Sequence, residues 1–472
     1  MAPHPWRLSI RESSRLCKPG STQKAGNSMV NGPMDRRVFN GQPDRPNGPV
    51  RGQGTEYTGR YVVLLDQSNQ ESGLNALSSA ADIAPVERVR GTEAANVAEL
   101  LERPDVSVHL EELGAAVVEV RPDQRHTLVT TAEAEPSIIA AEPERMVYAM
   151  PITAPQQAPT EFFPAYRSDE DVVARHTRAE IAAAQGPALD EQSFTWGLQA
   201  IRANLSHLTG RGVKVAVLDT GVDTAHPDLV RCVEATMSFV IGEAVEDGHG
   251  HGTHCIGTVA GPKNPQQAPR YGVACDARIL AGKVLSNQGS GTDGQILAGM
   301  AWAVAQGARV ISMSLGARVR PGELFPQTYE ILAQRALERG TVIVAAAGND
   351  SNRPPSILPV SRPANCPSIL AVAALDKSIT PSFFSNGGIN GQGGEINIAA
   401  PGRDVHSAAP GGGYQTMSGT SMATPHVAGV LALLAEANPN ASAADLVASL
   451  KSGAFPLAQP VRDVGAGLLQ AP

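Results

Sequence analysis

A chain of 472 residues with 42% hydrophobic content is long enough for two folded units and their connections. Its net charge of −8, from 46 acidic against 38 basic residues, offers no basic footprint for nucleic acid, and no apolar run reaches the roughly eighteen residues of a membrane span. Aromatics make up 4% while glycine and proline number 47 and 36, which points to cores of small aliphatic side chains and many built turns.

Residues 1–58 read as a disordered basic tail. Through Arg51, nine Lys or Arg stand against three acids among Pro, Gly, Asn and Ser, a mixture that buries no core. This stretch has no apolar segment of a secretory signal. Its Arg and Ser content has the character of an organelle transit peptide, and Met29 and Met34 are alternative starts, so the compartment stays open, with cytoplasm preferred to export. Five cysteines (Cys17, Cys232, Cys255, Cys275, Cys366) without a CxxC pair favour reduced thiols, although four in one domain allow two bridges.

Residues 59–150 read as a small α+β domain. "GRYVVLL" (Gly59 to Leu65) is a strand, Thr92 to Glu102 a helix and "LGAAVVEV" (Leu113 to Val120) a second strand. The helix-like "DQRHTLVTTAEA" follows, with a last strand near Met146 to Met150. Residues 151–194 are rich in Pro, Gln and charge and read as a linker, with one exposed helix expected near Asp169 to Ala184.

From Thr195 onward the pattern changes. Val213 to Asp219, Ala277 to Leu285, Arg309 to Leu315, Val342 to Gly348 and Ser368 to Ala374 are continuous apolar runs of strand length, with helices at Gly294 to Gln306 and Pro326 to Arg339. Buried strands alternating with helices predict an α/β fold: a doubly wound, mostly parallel sheet with helices on both faces. Chemistry in such sheets collects at the carboxyl ends of the strands.

Four polar residues stand at those ends. Asp219 closes the first strand in "VLDTGVDTAHPDL", and His251 lies in "DGHGHGTHCIGTVAG" at a helix start. Asn349 ends a strand in "VIVAAAGND", and Ser421 opens the apolar helix "GTSMATPHVAGVLALLAEA", where Pro425 follows four positions on. Singly, the Asp and Asn are turn residues and the Ser is a cap. Together they supply an acid, a base, an amide donor and a hydroxyl, the set that acyl transfer requires. Zinc is the competing reading of His249, His251, His254 and Cys255, but HExxH is missing and residues two apart do not share a helix face. His254 reads as a satisfied core histidine.

The sequence resembles the subtilases, the serine endopeptidases that include subtilisin and proteinase K. The matching blocks are "VLDTGVDTAHPDL", "GHGTHCIGTVAG", "YGVACDARILAGKVL", "VISMSLG", "VIVAAAGN", "RPANCPSILAVAA", "IAAPG" and "GTSMATPHVAGVLALL", in family order over most of residues 196–437. "TWGLQAI" (Thr195 to Ile201) resembles the family's mature amino-terminal segment. The resemblance implies a subtilisin-like fold in which Asp219 orients His251, His251 is general base and then acid, and Ser421 is the nucleophile. His251 is chosen because the family motif HGTH begins with the catalytic histidine. Asn349 matches the side-chain donor of the oxyanion hole, joined by the backbone N–H of Ser421.

The resemblance also implies that Gly289, Ser290 and Gly291 pair with an extended peptide. Ser314, Leu315 and Gly316 would line one side of the primary pocket, with Ala347 and Gly348 on the other. Strand addition binds through main-chain hydrogen bonds, so broad specificity is expected. Ser361 and Arg362 bring no carboxylate to the pocket base, which favours apolar residues before the cleaved bond. Residues 59–150 are similar to the family's inhibitor propeptide, acting in cis, with processing expected between Met150 and Phe194. The expected partners are polypeptide substrates and this propeptide; oligomeric state stays open. Chemistry is expected to need no cofactor or metal: Asp228 matches a calcium position of some subtilases and Asn397 stands where proteinase K carries a liganding Asp, but no full oxygen site can be assembled. Two other readings are a catalytically silent peptide-binding protein that keeps the cleft and a dedicated maturation protease of one partner.

Overall fold

Alternation along the first strand decides how the molecule is put together. In a computed structural model, which describes residues 57–81, 83, 86–90, 97–103, 106–150, 190–267 and 269–472, β1 spans Tyr57–Leu65. Its run "VVLL" is buried on both faces. Val63 and Leu65 join Leu77, Leu128 and Ile138 in a small core, whereas Val62 and Leu64 belong to the main core of the molecule. With a side-chain period of two, one strand thus serves two cores. The expected basic tail and the helix near 169–184 lie outside the described residues.

The module built on β1 continues with α1 (Gln70–Ala80), β2 (Val86–Val89), α2 (Val97–Glu102), β3 (Ser107–Leu110), β4 (Ala115–Val118), α3 (Arg125–Ala134) and β5 (Ile138–Ala149). Its strands run in the order β5-β1-β4-β3-β2, antiparallel except for the β2–β3 pair. Helices α1 and α3 cover one face of this sheet.

The larger domain begins with α4 (Trp196–Ala200), β6 (Lys214–Asp219), β7 (Val233–Ser238), α5 (His251–Ala260), β8 (Arg278–Lys283), β9 (Ser290–Thr292) and α6 (Asp293–Ala305). It continues through β10 (Val310–Met313), β11 (Leu315–Gly316), α7 (Gln327–Glu338), β12 (Val342–Ala346), β13 (Leu370–Leu375) and β14 (Ile398–Pro401). The ribbon β15 (Val405–Ala409) and β16 (Gly413–Met417) leads into α8 (Thr420–Ala437), α9 (Ala443–Ser452) and α10 (Val461–Val464). Seven strands form one sheet in the order β14-β13-β12-β10-β6-β8-β7, every neighbouring pair parallel, with helices on both faces. The chain fills the β8–β7 side first and then crosses to β10. The order therefore reverses between β6 and β10, the place where sheets of this kind set their crevice, at the carboxyl ends of the strands.

The module's second sheet face packs on α6 and α7, and β5 supplies charge to both helices. Glu144 Oε1 accepts a hydrogen bond from Gly294 N (2.9 Å) in the first turn of α6. Glu142 accepts from Gln327 N (3.0 Å) and Thr328 N (3.1 Å) in the first turn of α7. Spaced two apart, the carboxylates leave the same side of β5 and satisfy helix ends that have no internal acceptors. Each such contact contributes about 0.3–1 kcal/mol, more where partly buried.

Candidate active site

Asp219 ends β6 at the reversal point. Its carbonyl accepts from Val284 N (2.9 Å) and Leu285 N (3.1 Å), which ties it to the end of β8. Oδ1 accepts from Thr220 N (2.7 Å) and lies 2.7 Å from His251 Nδ1. Both side chains are buried. His251 is the first residue of α5, and a second carboxylate fixes that helix start. Asp247 accepts from His249 N, Gly250 N and Thr253 N at 3.1, 2.8 and 2.8 Å and from the hydroxyls of Thr220 and Thr253. The two segments cross closely: a Cβ at Gly252 would lie 2.2 Å from Gly221 O, so only glycine permits this approach.

Burial pulls the His251 imidazole down, but the Asp219 carboxylate outweighs it and holds the group well above the ordinary value of 6.5. The proton on Nδ1 faces the carboxylate, and Nε2 carries no hydrogen bond. His251 is therefore oriented with a free lone pair turned into the crevice.

Ser421 stands in the first turn of α8, and Pro425 now has a physical reason. Proline lacks the N–H that would bond the carbonyl four residues earlier, which is that of Ser421. The released carbonyl accepts from Ser314 Oγ at 2.7 Å instead and lies 3.7 Å from Cys255 Sγ. Ser421 Oγ in turn faces Ser314 O (3.1 Å) and Met150 O (2.9 Å). Its one proton is directed at these carbonyls, and no hydrogen bond joins it to His251 Nε2.

Asn349 is held for a single task. Its Oδ1 accepts from Thr420 N and Thr420 Oγ1, both at 2.9 Å, so Nδ2 must face the crevice, where it donates to Met150 O. A Cβ at Gly419 would fall 2.8 Å from the same oxygen. Glycine keeps this recess open.

Met150 thus brings its carbonyl to Ser421 Oγ and the Asn349 amide together. It follows directly on β5, which lies between two short strands. On one edge Met146, Val147 and Tyr148 pair with Thr292, Gly291 and Ser290, and Ala149 N donates to Gly289 O at 2.8 Å. On the other edge Ala149 and Tyr148 pair with Leu315 and Gly316. Gly289, Ser290, Gly291, Leu315 and Gly316 therefore hold an extended chain, and Ser314 adjoins Ser421. Ala347 and Gly348 lie behind Asn349, bonded to Ser361 N and Thr420 Oγ1 (2.8 and 3.1 Å), with no hydrogen bond to β5. Arg362 turns away and forms a buried pair with Asp293 at 2.6 Å.

The remaining histidines separate by environment. His254 is buried against Val405 O (3.0 Å), and burial holds its imidazole down to about 3, so it is neutral. His249 packs edge-on to His251 at 6.1 Å between ring centroids. Among the described residues, Asp219, His251 and Cys255 bring three ligand types within 4.8 Å of one another, and burial raises the Cys255 thiol. Both oxygen positions considered for calcium are engaged: Asp228 accepts from the hydroxyls of Tyr271 and Tyr414 (2.8 Å each), and Asn397 Oδ1 accepts from Ala371 N (2.7 Å). Cys232, Cys255, Cys275 and Cys366 are free thiols.

Met150, Glu142, Glu144 and Asp247 are absent from the sequence-based set. Asp247 had a readable signal in "EDGHG", an acid just before a glycine-rich helix start.

Comparison with known proteins agrees with this architecture. The family described as "Subtilase family" matches residues 210–467. The chain belongs to the subtilase family. Subtilisin Savinase of Lederbergia lenta is 40% identical over 284 residues, 59% of this chain and 98% of that protein. M-protease of Shouchella clausii is 40% identical over 284 residues, 59% of this chain and 69% of its own length. The solved structure of Sphericase aligns with a TM-score of 0.51 at 36% identity, covering 61% of this chain and all of that one. This subtilase is a serine-type endopeptidase, a hydrolase acting on polypeptides, and among its described residues no helix is long and apolar enough to cross a membrane.

Proposed function

We propose that this subtilase is a precursor whose larger domain, residues 195–472, hydrolyses peptide bonds through an acyl-enzyme on Ser421, and whose module, up to Met150, inhibits it in cis. The observation that carries this reading is the Met150 carbonyl, which accepts hydrogen bonds from Ser421 Oγ and Asn349 Nδ2 together. A substrate carbonyl before the cleaved bond needs that same position. Once the module has left, Ser421 Oγ rotates to His251 Nε2, gives up its proton there and bonds to the substrate carbonyl carbon. The resulting oxyanion is held by Asn349 Nδ2 and Ser421 N–H at the positive end of α8. His251 returns the proton to the leaving nitrogen, the C–N bond breaks, and water repeats the sequence on the ester. Asp219 keeps the imidazole in the required tautomer and balances its charge.

Specificity is broad because the substrate strand is held by backbone pairing. Apolar residues are preferred before the cleaved bond: Arg362 is tied to Asp293, and Met150 itself brings Cε to within 3.1 Å of the Cβ position of Gly316. A fluorophosphonate probe tests the assignment. The processed protein is expected to label on Ser421 and to hydrolyse unfolded protein at many sites; an unlabelled, inactive processed protein would favour a silent peptide-binding role.

A further inference from the structure

The register of β5 determines which bond of the chain reaches Ser421. Glu142 and Glu144 engage the ends of two helices, and Arg145 N donates to Asp293 Oδ2 at 2.9 Å while its guanidinium meets Glu323 at 2.9 Å. Val147 is fully buried. A slip by one residue would turn all these side chains to the wrong face. The carbonyl presented is therefore that of Met150, and the sequence makes the next residue Pro151.

This has a chemical consequence for the reading given above, on which it rests. We propose that the seated module presents the Met150–Pro151 bond, that this bond resists hydrolysis because Pro151 supplies the leaving nitrogen, and that the module stays a covalently tethered inhibitor until the chain is opened C-terminal to Pro151. Cleavage requires Ser421 Oγ to bond to the Met150 carbonyl carbon, with its proton passing to His251 Nε2. The C–N bond then breaks only if that proton reaches the proline nitrogen, which leaves as a secondary amine. An ordinary amide nitrogen carries one hydrogen and inverts freely to present its lone pair to the imidazole. The proline nitrogen carries the ring Cδ there instead, and inversion must swing a ring methylene where other residues move only a hydrogen. Protonation of the leaving group fails, and the adduct collapses back to the intact chain. The seated strand is bound as substrate is bound, yet is retained.

The full chain, its Pro151→Ala variant and a Pro151→Ala, Ser421→Ala double variant are incubated alone, and new amino termini are sequenced alongside turnover of an unfolded protein substrate. Pro151→Ala is expected to release a fragment starting at position 151 at least about 10²-fold faster than the natural chain, the scale of a lost proton transfer. The double variant is expected to release none. Equal release at position 151 from the natural chain overturns the inference, as does an uncut 150–151 bond in a Pro151→Ala sample that turns over substrate; both leave the endopeptidase reading standing. No turnover and no cutting in any sample overturns that reading and the inference with it.

Discussion

The two halves of the crevice are held in different ways. Asp219 and His251 are positioned wholly by the larger domain, through the ends of β6 and β8 and the backbone crossing at Gly221 and Gly252. Ser421 and Asn349 are also anchored by that domain, but their working atoms are occupied by Met150. On the proposed reading, inhibition acts on the nucleophile and its donor while the base stays set. A module acting in this way would not need to distort the enzyme to silence it.

The sharpest break in that comparison is Asp219→Asn, which reverses the hydrogen bond to His251 Nδ1 and leaves the wrong tautomer. A loss of about 10⁴-fold in kcat is expected in the processed enzyme, with labelling by a fluorophosphonate slowed in parallel. A loss below tenfold would show that the carboxylate does not set the base. Asn349→Ala, on the other half, is expected to cost roughly 10²–10³ in kcat with KM little changed, the figure known from subtilisin itself. The same variant should weaken the hold of the module on the crevice, whereas Asp219→Asn should not. A large rise in KM instead would assign Asn349 to ground-state binding.

The smallest effect is in pH. General-base action needs the neutral imidazole, and a group raised above its ordinary value is protonated already at higher pH. The acid limb of kcat/KM is therefore expected to have its midpoint above 6.5, with a tenfold loss per pH unit below it. In Asp219→Asn the main raising charge is gone while burial still pulls the imidazole down, so the limb should move down. A limb that stays in place would detach the profile from this pair.

Much of the larger domain is legible in the sequence because strands buried on both faces appear as unbroken apolar runs, as in Val342–Ala346 and Leu370–Leu375. β7 escapes this reading: "VEATMS" is only half-buried and carries a charge. In the module, α1 offers few apolar positions and no side-chain cap, and β2, "VERV", exposes its central residues, so neither element announces itself. The candidate catalytic residues could be picked out because each pairs a reactive group with a glycine or a strand end. Met150 could not, since its importance depends on strand register between segments more than 130 residues apart. The same is true of Glu142 and Glu144, which reach the starts of two helices far along the chain. The composition extends the basic tail through residue 58, yet β1 begins at Tyr57, where charge and glycine content mask an extended segment.

The stitch between Ser314 and Ser421 carries a mechanical consequence. One hydroxyl from each residue meets the other's carbonyl, and the next two residues, Leu315 and Gly316, form the rail on which β5 lies. If a substrate takes the place of β5 as proposed, docking and attack are geared to one another over a single peptide unit, and a guest that grips the rail poorly is expected to find the attacking oxygen misaligned.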